Sequence, residues 1–310
     1  MSRSRLLPDV VLLAVAAVWG GSYLAAKDLA DASSAAAVMC LRFVPAAVIL
    51  FLIAAGCGRL RGLRAATGPG LLLGVLRAAT IALETIGVTQ TSATNAGLII
   101  GLSVLITPIL ESVVTRRRLS SQLVLAMLLG VAGIALLVSG NGFTAPRLGD
   151  LLVLVGALTR AMLGVAEASV TAGDRTDVFS LTTVELAFGA LIFALWGGGD
   201  ALTHALDFTG SDWALVAYLT IGCTLLAFLG QLWATKRTSA SRAGILLGTE
   251  PGWALAIGIV FAGDTIGATG LLGALVLLAA VTWGGRAEYR WRSTVSTAAA
   301  PRSPRHRTRG

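Results

Sequence analysis

Residues 91–101 read TSATNAGLIIG and residues 238–248 read TSASRAGILLG. Six of these eleven positions are identical, four differ conservatively, and one pair does not match, Asn95 against Arg242. Each segment leads straight into a long apolar run, so the match reads as a duplication within the chain rather than a chance motif. The number of helices between the two copies then decides the architecture.

The chain has 310 residues, of which 55% are hydrophobic and 13% charged, and its mean hydropathy is +0.82. Soluble domains carry roughly a quarter of charged residues, so the membrane class comes first. A spanning helix needs about 20 mostly apolar residues. Ten such stretches lie near 10–29, 34–56, 69–88, 93–114, 122–140, 150–170, 178–197, 213–234, 240–262 and 266–285. They are continuous runs rather than short alternating segments, which favours helices over barrel strands. The first run has no small-residue cleavage site before Lys27 and reads as a retained helix. The expected fold is all-α and polytopic: ten transmembrane helices as two five-helix repeats, 10–141 and 148–285. A short segment, 1–9, precedes them, and a disordered basic tail, 286–310, follows. Five is an odd number, so the two halves should sit in opposite orientations across the bilayer.

The net charge of +8 is unevenly placed. Arg3 and Arg5, then Arg59, Arg61 and Arg64, then Arg116 to Arg118, then Lys236 and Arg237, and finally the tail arginines fall in alternate connections. The connections between them hold Lys27 and Arg147 among Asp28, Asp31, Asp200, Asp207, Asp212 and Asp264. This positive-inside bias places both termini in the cytoplasm, with the chain in the cytoplasmic membrane. It explains the basic charge without nucleic acid, and the polybasic tail is suited to anionic membrane lipid. The unmatched Arg242 marks the repeat copy entering from the cytoplasm, and Asn95 the copy entering from outside.

Cys40, Cys57 and Cys223 have no metal-ligand spacing, and the two histidines, His204 and His306, lie outside the spans. No metal, cofactor or nucleotide motif is expected. GLSV at 101–104 has no intramembrane histidine to activate its serine, and FAGD at 261–264 lacks a partner aspartate, so the chain does not read as an intramembrane enzyme.

Beyond the repeat, WGGSYLAAK in the first span and LRF at 41–43 resemble the drug/metabolite transporter superfamily, EamA-like family. So do GVTQTSATNAGLIIGLSVLITPIL at 87–110 and the stretch from 222 to 264, which includes the Glu250–Pro251 pair. The resemblance covers roughly residues 10–285. It implies ten helices in two inverted halves and a metabolite or drug exporter. The chain departs from the family where an acidic residue usually follows the fourth span, since Arg117 stands there. It also departs early in the sixth, where Thr159 or Arg160 replaces a common tryptophan.

An ionised side chain at mid-bilayer costs at least ~2.5 kcal/mol. Arg42, Arg77, Arg160, Glu185 and Glu250 fall near mid-depth, and Glu84, Glu111 and Glu167 nearer span ends. They must pair, titrate or line a path. Arg77 and Glu84 are seven apart, as are Arg160 and Glu167, which puts each pair on one helix face about 10 Å apart along the axis. The pairs either neutralise charge between helices or line the substrate path.

Pro251 removes a backbone donor and crowds the Leu247 carbonyl, so a break is expected in the ninth span beside Glu250. Glu250 is expected to take a proton or a substrate cation, Trp253 to wall the cavity, and Pro108 to make a weaker kink. Gly97 with Gly101, and Gly244 with Gly248, form Gly-xxx-Gly pairs at matching places in the two halves and should pack helices closely. The expected function is a secondary active transporter exporting a small molecule by alternating access, with proton coupling through Glu250. A flippase for a lipid-linked sugar, or a non-transporting scaffold or sensor, fits the same topology. The sequence sets no oligomeric state.

Overall fold

The computed structural model describes residues 3–90, 99–116, 118–138, 148–172, 177–257, 259–260 and 267–299. Asn95, Gly97, Arg117, Arg147, Arg175, Asp264 and the tail beyond residue 299 lie outside the described residues. Within them the regular structure is all helical: α1 (Arg3–Asp31), α2 (Ala35–Gly56), α3 (Leu60–Thr89), α4 (Ser103–Thr115), α5 (Ser121–Val138) and α6 (Leu148–Thr171). Then come α7 (Val178–His204), α8 (Gly210–Arg237), α9 (Ala240–Leu247), α10 (Glu250–Ile257) and α11 (Ala268–Ala299).

Seven of these, α1, α2, α3, α6, α7, α8 and α11, are long and apolar enough to cross a membrane, while the apolar helices at Ile99–Thr115 and Ser121–Leu136 are shorter. Short polar residues set several starts. Ser34 accepts from the Ala37 N–H, Asp177 from Ser180, and Ser239 from Arg242, while Thr209 and Asp212 form a capping box. Each such cap contributes about 1 kcal/mol.

Two elements differ from the expected spans. The single ninth span is two eight-residue helices, α9 and α10, separated by Gly248–Thr249. Pro251 therefore lies in the first turn of α10, where its missing N–H has no helical partner to lose. The Thr249 hydroxyl donates to the Leu246 carbonyl (2.7 Å), and the Thr249 carbonyl accepts from the Gly252 and Trp253 N–H groups. The second difference is in α8, whose middle, Tyr218–Leu226, is wound as a π-helix. By contrast, α4 runs through Pro108 from Ser103 to Thr115 as one helix.

Packing joins the two parts of the chain. α2 lies along α7, α3 along α6 and α7, α5 along α11, and α1 against α8, α9 and α10. At the centre, Phe43 meets Phe193 at 4.8 Å and Phe228 at 5.9 Å between ring centroids, with Trp19 edge-on to Phe228 at 6.0 Å. Leucines and valines such as Leu52, Leu128, Leu195 and Leu275 cover the outside, as a lipid-facing surface requires.

Close helix approach explains the glycines of WGGSYLAAK. A Cβ on Gly20 would stand 2.7 Å from both the Ala254 nitrogen and the Trp253 Cβ, where α1 crosses α10. Gly244 and Gly248 pack α9 against Thr107 and Val104 of α4, whereas Gly101 faces Ile134 of α5. Gly20→Ala should therefore lower the thermal midpoint of the purified protein by an overpacking cost of about 1–3 kcal/mol. Gly198→Ala, with nothing within 4 Å of the new Cβ, should leave it unchanged or raise it. Equal midpoints for the two variants would show that the α1–α10 crossing yields easily.

Candidate functional site

Among the described residues, the intramembrane charges named from the sequence other than Glu111 gather into two ionic knots and one separate arginine. α3 and α6 run antiparallel, so moving seven residues along one meets seven residues back along the other. Arg77 of α3 therefore reaches Glu167 of α6 (2.7 Å), and Glu84 of α3 reaches Arg160 of α6 (2.7 Å). The sequence spacing within each helix becomes two rungs between helices.

The first knot is sealed. Arg77 Nε donates to Glu185 of α7 (2.7 Å), Nη2 to Glu167, and Nη1 to the Gln231 side chain of α8 (3.2 Å). Gln231 Nε2 returns a bond to Glu167 Oε2 at 3.0 Å. The guanidinium is 4% exposed and both carboxylates 0%. Its carbon lies 3.9 Å from the centroid of the Phe228 ring. Glu185 Oε2 and the hydroxyls of Thr182 and Thr235 are buried without a hydrogen-bond partner.

The second knot is more open. Arg160 grips Glu84 with Nε and Nη2, both at 2.7 Å, and gives Nη1 to Glu250 at 2.9 Å. Arg160 is 21% exposed and Glu250 only 6%. Glu250 is the first residue of α10, directly after the Gly248–Thr249 break, so this knot ties the broken element to α3 and α6. The Arg160 guanidinium also stands 5.7 Å from the Trp19 ring centroid.

Arg42 differs from both. Its Nε donates to the Thr224 hydroxyl and its Nη2 to the Cys223 carbonyl at 3.1 Å, both on the π-helical turn of α8. The same Cys223 carbonyl takes the Trp19 indole N–H at 2.9 Å. The wide turn is pinned further by Tyr218 donating to the Val18 carbonyl (2.6 Å) and Thr220 to the Leu41 carbonyl (3.1 Å).

The sequence candidates Arg42, Arg77, Arg160, Glu84, Glu185 and Glu250 thus meet around Trp19 and Phe228. Trp253 is 40% exposed, with its Cβ against Gly20, and Pro108 is buried in α4; neither belongs to the knots. Gln231, Thr224 and the Cys223 carbonyl escaped sequence reasoning, although the small polar residues inside "GCTLLAFLGQLW" at 222–233 are a signal for them.

A further cluster lies where α1 and α9 begin and pack against Gly285 and Glu288 of α11. Arg242 pairs with Asp9 (Nε to Oδ1, 2.7 Å), lies 3.9 Å from Glu288 and donates to the Gly285 carbonyl. Glu288 accepts from Ser239, and Glu111 of α4 accepts from the Ser241 N–H (2.7 Å) and hydroxyl. The one unmatched repeat position is therefore an ion-pair hub joining three helices. Among the described residues no three His, Cys, Asp or Glu side chains group closely enough to hold a metal.

The chain matches the model of the EamA-like transporter family over residues 6–139 and again over 147–283. It is 24% identical over 279 residues to an uncharacterized transporter of Archaeoglobus fulgidus, covering 89% of this chain and 85% of that one. One solved crystal structure superposes with a TM-score of 0.72 at 22% identity, covering 94% of this chain and 99% of the other, and so shares the fold.

Proposed function

The chain belongs to the EamA-like transporter family, and from that premise we propose that this multi-span membrane protein is a secondary active transporter. In this reading it exports a small molecule across the cytoplasmic membrane by alternating access. Glu250 is the coupling carboxylate. The observation that carries the reading is the Arg160–Glu84–Glu250 knot, which fastens the start of α10, at the chain break, to α3 and α6. Protonating Glu250 removes one of the two charges that hold Arg160, and α10 is then released from α6. The intact fork on Glu84 meanwhile keeps α3 and α6 together. Secondary transporters typically form their substrate and coupling-ion sites from discontinuous helices such as this one. The ring of Arg242, Asp9, Glu288 and Glu111 closes the cytoplasmic end in this orientation, with both termini on that side.

The test begins with thermal shifts of the purified protein against amino acids, nucleosides, polyamines, sugars and cationic drugs. A ligand at 100 times its dissociation constant stabilises by about 2.7 kcal/mol. In proteoliposomes the stabilising compound should then accumulate against its gradient when a proton gradient is imposed. Glu250→Gln should lose that accumulation while retaining downhill exchange. Uphill, proton-dependent flux by Glu250→Gln equal to wild type would remove Glu250 from coupling.

A further inference from the structure

Among the described residues, three arginines stand in the interior around Phe228 and Trp19, and two of them are fully engaged. Every nitrogen of Arg77 and of Arg160 has an acceptor, and each guanidinium has two carboxylates. Arg42 has neither. Among the described residues no carboxylate lies within ion-pair distance of it; its Nε and Nη2 use a hydroxyl and a carbonyl, and Nη1 donates to nothing. These neutral acceptors fix the direction of the fork without cancelling its charge.

Arg42 does not face lipid. It is half-buried, its carbon lies 5.9 Å from the ring centroids of both Phe43 and Phe228, and those rings are fully buried. Phe228 carries Arg77 as well as Arg42 on its ring, so the group points into the same interior as the sealed knot. The second knot carries one carboxylate more than its arginine, and Glu84 and Glu250 act on Arg42 through space without occupying its nitrogens. That is how an unpaired guanidinium is tolerated at this depth, and it leaves the fork open.

The holder is also specialised. The acceptors come from a nine-residue π-helix, a wound form that is rare and costs regular hydrogen-bond geometry. Its widened turn lets one carbonyl, Cys223, serve Trp19 and Arg42 together. Trp19, through its ring contact with Arg160, lies between Arg42 and the second knot.

We propose that Arg42 is the anion-binding group of the transport path, receiving a carboxylate, phosphate or sulfonate of the transported molecule on its open edge. A planar fork with free N–H groups is the side chain best suited to an oxyanion. This deepens the transporter reading and rests on it, but it can fail separately, because Glu250 is tested by proton-driven flux and Arg42 by charge preference in binding.

The probes are benzoate, its neutral isostere benzamide and the cation benzylamine, each added to the full-length protein in detergent while thermal unfolding is followed. Benzoate should raise the midpoint more than benzamide, and benzylamine should not match it. Arg42→Gln should erase the benzoate preference, weakening benzoate about ten- to hundredfold, the worth of one charge-assisted hydrogen bond or two. Arg42→Lys should keep part of it. Equal stabilisation by benzoate and benzamide, no stabilisation by benzoate, or an unchanged preference in Arg42→Gln would each overturn the assignment. A second measurement needs no variant: phenylglyoxal should modify Arg42 of the wild type, read by peptide mass spectrometry, and benzoate but not benzamide should protect it. Failure to modify Arg42, or equal protection by the two compounds, would overturn the proposal independently.

Discussion

Arg77→Gln is expected to cost the protein about 3–5 kcal/mol, the usual penalty for removing one partner of a buried ion pair. Glu167 and Glu185 have no exposure, and Arg77 is what brings them together. Without it, two carboxylates from α6 and α7 face one another across Gln231, which can donate to only part of their oxygens. The loss should be cured rather than compounded by further change. Arg77→Gln combined with Glu167→Gln and Glu185→Gln leaves no charge to bury, and a neutral cluster of the same shape should recover most of the midpoint. Thermal unfolding of the three single variants and the triple variant measures this directly. The single changes should fail to add up by an amount close to the whole penalty, as expected for one network. If Arg77→Gln unfolds with the wild type, or the triple variant is the least stable of the set, the knot does not hold α3, α6 and α7 together.

How much of this was legible beforehand differs from residue to residue. The seven-residue spacings of Arg77–Glu84 and Arg160–Glu167 were plain, and so was the need to neutralise them. What one sequence could not supply was the antiparallel register of α3 on α6, which turns each spacing into half of two cross-helix rungs. Glu250–Pro251 pointed to a break within a few residues of its true place. Proline is tolerated in a first helical turn, so the chain turns at Gly248–Thr249 and Pro251 begins the next helix instead of interrupting one. Arg242 was visible as a mismatch between the repeats and read as a topology signal. Its pairing with Asp9 and Glu288 depends on two helices far away in sequence. The π-helix of α8 left no readable trace, because winding differs there through backbone register rather than residue type. Arg42 stood out only by depth; that it lacks a carboxylate is a fact about neighbours from α1 and α8.

Arg160→Lys is the second large effect, and it separates charge from geometry. The ammonium keeps the positive charge of the open knot. It cannot place two parallel N–H groups on Glu84 and a third on Glu250 at the far edge of the same plane, as the guanidinium does at 2.7, 2.7 and 2.9 Å. Lysine can follow one carboxylate or the other, so α10 loses its fixed link to α3 and α6. Proton-driven flux of a stabilising compound in proteoliposomes should fall about ten- to a hundredfold, the value of one or two charge-assisted hydrogen bonds at the moving step. Its thermal midpoint should fall less than that of Arg77→Gln, because this knot is partly exposed. Glu84→Gln is the matching control. It removes the fork that joins α3 to α6 but leaves the Arg160–Glu250 bond, so it should tighten the hold on α10 and slow flux while also lowering the thermal midpoint. Wild-type flux in Arg160→Lys would mean that charge alone suffices at this position, and the coupling step would then have to lie elsewhere than in the fork that joins Glu84 to Glu250.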